Sequence, residues 1–516
     1  MGKRSAIALV TAGLMTASAA SAATAQSEAD GEAMDAADST TIWRSSTTKG
    51  PNGLYVGPDG NVYAASVPGD EITVHDPESG EILDRIGPER GVRGPDDVVI
   101  APDGTVYWTE ILGGNVGMLR PDGTFVTQQV GPGVNPITLS DDGRLFVARV
   151  FFGDGLYELD PELQDPPVAV NEAIVGLNGM DFGPDGLLYA PLFFGGVVAR
   201  LDVDAEMPEP EVVAEGFAVP AAVAFDSRGD LHVADLAQGT IVKVDLETAE
   251  QTVLGSVPAT LDNLAFDADD RLFTTSSPEG QLYRLDGGEL VGLNESGFTG
   301  PAGVAISPDG TLWVGELFAL RGFQGDGEPV ISYYDRSTPP GAAVAPGPTV
   351  SADGDQLIDS SSFTNSVQVN DPASGEVYED IRKLAAPANA IRHGERLVAA
   401  QAAAANVVDA NSGDVLIGDL ALPLGLASDG ETLYVSDWAL GTVHAVPSVG
   451  EPVLLAEGLT YPEGLALDGE RVVGVEEGLD QVSAIELASG EGGPAVAGLD
   501  LGLSVIPAAA PSGCLN

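Results

Sequence analysis

The chain has 516 residues, 78 of them acidic against 22 basic, and its formal net charge of −56 repels nucleic acid and anionic membrane, arguing against both as partners. Its 66 Gly and 36 Pro fit a turn-rich, all-β fold better than a helical one, and the length exceeds what one ordinary core holds. The single cysteine, Cys514, makes an intramolecular disulfide impossible, so stability must come from packing. An acidic balance of this size fits cation-rich surroundings, and it fits a surface made for solubility equally well.

In chain order, Lys3 and Arg4 precede an apolar run from Ala6 to Met15, followed by the small-residue sites Ala20-Ser21-Ala22 and Ala23-Thr24-Ala25. This is the pattern of a cleaved secretory signal over residues 1–25, so the expected location is periplasmic or secreted. The apolar run falls short of the roughly 18 residues a spanning helix needs, and no membrane insertion is expected after cleavage. Residues 26–40 are acidic, nearly free of large apolar groups, and read as a flexible leader.

From Thr41 onward the chain repeats one unit, clearest in Gly94 to Glu110: a polar loop, a buried strand (Val98, Val99, Ile100), an Asp103-Gly104 turn and a second strand (Val106, Tyr107, Trp108). The turn position recurs at Gly60, Gly104, Gly143, Gly186, Gly229, Asp270, Gly310, Gly354, Gly394, Gly430 and Gly469, which defines eleven units of about 40 residues. A large residue often stands three positions later, as in Tyr63, Phe146, Phe273 and Trp313, where it can fill the space between neighbouring sheets. Units of this length hold four strands, and radial packing of four-stranded meanders makes a β-propeller. Because rings of four to eight blades are usual, eleven units predict two tandem propellers, over residues 41–296 and 297–516. The first has six blades and the second about five or six, closed by Thr41 to Ser46 or by the tail after Leu499; one wide ring is the alternative.

In a propeller the loop before each innermost strand faces the central channel. Across the first six units these loops carry Asn52, Asp96 with Asp97, Asn135, Asn178, Ala221 with Ala222, and Asp262 with Asn263. Five of the six offer a carboxylate or amide oxygen and none offers His or Cys, a donor set that suits calcium rather than zinc. Asn and Asp also favour strand starts because they bond to nearby backbone, and that structural reading stays open. The second ring has only Asn389 and Glu463 at matching places, and there the structural reading is preferred. Phe151, Phe152, Phe193 and Phe194 occupy matching Gly-adjacent loops in units three and four, either as the apolar wall of a substrate pocket or as cover for a blade edge. The acids ending the second strand, Glu110, Asp235, Glu316 and Asp437, read as turn or inter-blade hydrogen-bond acceptors.

The segments GPDDVVIAPDG, LNGMDFGPDG and LDNLAFDADDRLF resemble the channel loops of the gluconolactonase and regucalcin-like family and of the related paraoxonases. The resemblance covers about half the chain. It implies a six-bladed, calcium-dependent lactonase or esterase, with Asn178 in the place of a family calcium ligand. Asp96-Asp97 stands where the family has an Asn-Asp pair, and Asp262-Asn263 resembles an Asp-Asn pair of the paraoxonases. The family's acidic residue in the first loop is Asn52 here, and the paraoxonase His pair has no counterpart.

The enzymatic reading assigns metal ligation to Asp96, Asn135, Asn178 and Asn263, catalysis to Asp97 and Asp262, and substrate contact to Asn52, Phe152 and Phe194. The substrate is a small lactone or ester, with Ca2+ or another divalent cation polarising its carbonyl and a carboxylate activating water. A carboxylate bound tightly to calcium is a poor base, so the base is whichever one does not ligate. The alternative is a non-catalytic exported scaffold binding a ligand or protein partner. Exported propellers also include lyases acting on cyclic peptide antibiotics through His and an acidic residue. All four histidines here lie outside the channel loops, which ranks that reading lower.

Overall fold

The computed structural model describes residues 34–35, 43–325, 327–334, 349–362 and 364–499. The expected signal peptide, most of the leader, the tail after Leu499 and Cys514 fall outside them. Among the described residues the regular structure is strand, interrupted by three single-turn 3-10 segments. The strands form eleven four-stranded antiparallel meanders, sheets 1 to 11, at 54–86, 98–129, 134–171, 181–215, 220–256, 264–292, 301–334, 349–382, 387–417, 423–457 and 462–497.

The tight turn between the first two strands explains the regularity. All eleven turn positions read from the sequence adopt a left-handed backbone, with φ from 58° at Gly354 to 90° at Gly430. Glycine takes that conformation without steric cost, and Asp is among the residues that tolerate it, as Asp270 does at φ 59°. The large residues that follow then turn into the space between sheets. Phe146 packs with Leu177 and Leu188 of the next blade, and Trp313 with Val350 and Leu357.

Apolar packing divides the sheets into two sets. Six hydrophobic clusters join sheets 1 to 2, 2 to 3, 3 to 4, 4 to 5, 5 to 6, and finally 6 back to 1, where Phe273 and Leu282 meet Leu54 and Val62. The innermost strands follow the same closed sequence. This six-bladed ring excludes the single wide ring. Sheets 7 to 11 form the second set, joined 7 to 8, 8 to 9, 9 to 10 and 10 to 11. Among the described residues no such cluster joins sheet 11 to sheet 7.

The tail after Leu499, one of the two expected closures, lies outside the described residues, and residues 43–46 of the other do not reach that seam. Residues 43–48 lie instead against the first ring and the junction: the Ser46 hydroxyl donates to Gly280 O, Ser45 bridges to Phe298, and Trp43 packs edge-on against Phe298 at 4.7 Å. Arg321, ion-paired with buried Glu316, lies 5.0 Å from the Trp43 ring and donates to Pro278 O. Residues 34–35 pair in parallel with Val496 and Ala497 at the outer edge of sheet 11.

Candidate functional site

Strands in a meander alternate direction, so the loop leading into the first strand and the turn joining the second to the third emerge at the same end of the blade. In the first ring this end carries both the Asn/Asp loops and the paired phenylalanines. Counted back from the eleven-fold turn, Asn52, Asp96, Asn135, Asn178, Ala221 and Asp262 are equivalent, one per blade. Asp96, Asn135 and Asn178 are buried and Asn52 and Asp262 half-buried.

Glycines let these loops converge. A Cβ on Gly53 would strike the Cα of Asp97, and the Gly53 N–H donates to Asp96 O at 2.8 Å. A Cβ on Gly179 would collide with Ala222 and lie 2.9 Å from Asn263 Oδ1. Blade 5 contributes only alanines to this layer, and the space they leave is where the Asn263 side chain reaches across. Its Nδ2 donates to Asn52 Oδ1 at 3.3 Å.

Hydroxyls hold the loops from behind. Thr109 donates to Asn135 O at 2.6 Å, and Thr275 donates to Asn52 O at 2.6 Å, the second bond spanning the seam where sheet 6 meets sheet 1. Ser277 adds a bond to Pro51 O at 2.8 Å. Sequence reasoning missed these residues. Their signal is a Thr one position before the end of the second strand, which on its own looks like an ordinary β residue.

The two carboxylates of the Asp96-Asp97 pair are placed differently. Asp97 accepts the Val98 N–H at 2.9 Å on one oxygen and the Ile137 N–H of the next blade at 3.0 Å on the other. Asp181 does the same for Phe182 and Phe225, at 2.9 and 3.0 Å. Both are latches between neighbouring blades. Burial pushes Asp97 up to about 7 although the two N–H bonds pull it down, and burial pushes Asp181 up to about 6. Asp96 has no comparable support. Its Oδ2 is buried without a hydrogen-bond partner, and burial together with the charges of Asp262 and Asp97 holds its carboxyl well above the usual carboxylate range. Burial pushes Asp262 up to about 6.

The structure thus brings Asp96, Asp262, Asn263 and Asn52 together at the channel and keeps Asn135 and Asn178 in the same layer, while the oxygens of Asp97 point to backbone. Among the described residues no three of His, Cys, Asp and Glu converge as a metal cluster. The donor set is therefore two carboxylates and amides, which fits a hard, oxygen-seeking cation, and the orphaned Asp96 oxygen is the group such a cation would satisfy.

Phe152 is half-buried, with its carbonyl accepting from Arg149, and Phe194 is 64% exposed. Phe151 links them: its ring lies 6.5 Å from Phe152, 5.2 Å from Phe193 and 5.6 Å from Phe194, on a backbone with φ 65°. Leu112 and Val175, exposed on the same face, extend this apolar rim. The histidines lie elsewhere in structural bonds. His75 bonds Gly80 O and Thr73, His232 bonds Asp230 O, His393 bonds Ser428, and His444 bonds Thr442. Three of the strand-ending acids cap backbone: Asp235 accepts from Ala218 and Val219, Asp437 from Ala421 and Leu422, and Glu316 from Thr299, whereas Glu110 accepts from the Trp108 and Asn115 side chains.

No protein-family model and no curated protein sequence matches the chain. Among solved structures, the chain is similar to a streptogramin B lyase at 17% identity, covering 53% of this chain and 92% of that one, with a TM-score of 0.40. It is also similar to a putative gluconolactonase at 16% identity, covering 49% and 92%, with a TM-score of 0.40. A gluconolactonase from Xanthomonas campestris is 16% identical over 49% and 89%, with a TM-score of 0.39.

Proposed function

We propose that the chain is an exported, calcium-dependent hydrolase of lactones or esters, acting at the channel mouth of the first ring. The observation that carries this reading is the buried, unpartnered oxygen of Asp96 facing a second carboxylate, Asp262, within a layer of amides. Asp96, Asn52, Asn135 and Asn178 would hold the ion, and a bound calcium supplies Lewis-acid polarisation of the substrate carbonyl. Asp262 is the base: it takes a proton from the attacking water and returns it to the leaving alkoxide. Its pKa of about 6 leaves it ionised at neutral pH yet still basic enough for the task. Asn263, tethered to Asn52, orients the substrate oxygen. Asp97 is assigned to structure, because both of its oxygens serve backbone N–H groups.

The test is a lactone and ester screen on the mature protein with and without chelator. Asp262→Asn is expected to keep calcium binding and to lower kcat by about 10²- to 10⁴-fold, the usual contribution of a general base. Asp96→Asn is expected to lose both. Hydrolysis indifferent to chelator, or unchanged in Asp262→Asn, would refute the assignment. The second reading, a binding scaffold, is favoured by the open seam of the second ring, where Val304 and Ile306 stand 66% and 67% exposed.

A further inference from the structure

The second ring carries a site of different chemistry at the corresponding end of its channel. Glu463 begins the inner strand of sheet 11, in a Pro-Glu-Gly sequence that matches Pro51-Asn52-Gly53 of sheet 1. Its backbone is fixed by the next blade: the Ser436 hydroxyl donates to Glu463 O at 2.6 Å, and Gly425 lies so close that a Cβ there would collide with the same carbonyl. The Glu463 carboxyl lies beside that of Glu477, which accepts the Trp438 indole N–H at 2.8 Å. Trp438 stacks on Tyr461, with ring centroids 4.5 Å apart and planes 23° from parallel.

Two features of this cluster are left over by the packing of sheets 10 and 11. Tyr461 is 43% exposed, so the stack is not fully covered by the rest of the described chain. Its φ of 56° belongs to the repeat, since the residue before the entry proline is also at positive φ at Gly50, Gly94, Gly300 and Ala386. The two glutamates are half-buried against each other, and among the described residues no Lys, Arg or His ion-pairs with either. Burial and the Glu477 carboxylate push Glu463 up to about 8. The wall offers carboxylate acceptors, aromatic faces and the Tyr461 hydroxyl, with its indole donor already spent. Acceptors and π-faces without a basic side chain among them suit a cation. The net charge of −56 draws cations to the surface as a whole.

We infer that the channel mouth of the second ring binds a small organic cation, an ammonium or guanidinium group, against the exposed side of the Trp438–Tyr461 stack and beside the Glu463–Glu477 pair. The site is independent of the hydrolase reading of the first ring.

The test is calorimetric titration of choline, of its neutral carbon isostere dimethylbutanol and of glucose into the full chain at high salt, which suppresses unspecific ion binding. The expected result is one saturable choline site and no binding of the isostere or the sugar. Glu463→Gln and Trp438→Leu are expected to weaken choline binding by about tenfold or more, the scale of a desolvated cation–aromatic contact. Tyr461→Gly guards against misfolding, since glycine is at ease at that positive φ, and it should weaken choline equally. Hydrolysis by the first ring stays unchanged in all three variants. No saturable binding, equal binding of the isostere or of glucose, or unchanged affinity in Tyr461→Gly would each overturn the inference.

Discussion

The two rings are built from the same repeat, yet among the described residues only one closes through apolar packing. In the first, the inner strand of sheet 5, Pro220–Phe225, is buried along nearly its whole length, with sheets on both sides. In the second, the inner strand of sheet 7, Pro301–Ile306, exposes every other side chain, and that of sheet 11, Pro462–Asp468, alternates in the same way. A propeller blade has two faces to cover, and a blade at an open seam covers one. Closure is thus a property of the set of blades and not of any single repeat, and core substitutions should weigh differently in the two rings.

The largest expected contrast is between Phe146→Ala and Ile306→Ser. Phe146 is fully buried between sheets 3 and 4, and its loss should cost about 3–5 kcal/mol. Ile306 faces open space at the seam, and its loss should stay within about 0.5 kcal/mol. Denaturant unfolding of both variants checks the pair, and equal costs would mean that the seam is closed in solution. Comparable in size is Asp97→Ala, which strands two backbone N–H groups and should cost about 2–6 kcal/mol, at about 1–3 for each orphaned donor. Thr275→Val removes the hydroxyl bond across the closing seam and should cost about 1–2 kcal/mol, with no equivalent available at the open seam.

A last contrast lies in pH dependence, which the channel acids carry in the first ring and buried Asp359 and Glu463 carry in the second. Asp96, Asp97 and Asp262 have folded-state pKa values above the ordinary 3.8, so the unfolded chain gives up its protons first. These groups therefore cost nothing below about pH 4 and destabilise progressively as pH rises through about 6 to 7. In chelator, the Tm should fall from about pH 5 to about pH 8. Calcium should reverse the fall in the wild type but not in Asp96→Asn.

Much of the fold was legible because its key residues act locally. A turn that demands positive φ takes Gly or Asp wherever it occurs, so eleven such positions at near-equal spacing announced eleven blades. Ring closure was not legible, since it depends on which distant sheet Phe273 and Leu282 meet. The channel layer was visible as Asn and Asp in register, and Asp97 within it was ambiguous. The hydrogen bonds separate the pair: both Asp97 oxygens are taken by the Val98 and Ile137 N–H groups, whereas Asp96 Oδ2 is buried without a partner. Thr109 and Thr275 were hidden because a threonine in a strand carries no mark of what its hydroxyl reaches. Glu463 was visible by position alone; Tyr461 stands two residues before it, while Glu477 and Trp438 come from two other loops that only the fold brings to it.

The most direct test of the account is calcium binding by calorimetry on chelator-stripped mature protein at high salt, with Asp96→Asn beside Asp97→Asn. The account predicts one saturable site in the wild type, retained in Asp97→Asn and lost in Asp96→Asn. A site that survives Asp96→Asn, or no saturable site in the wild type, would contradict it.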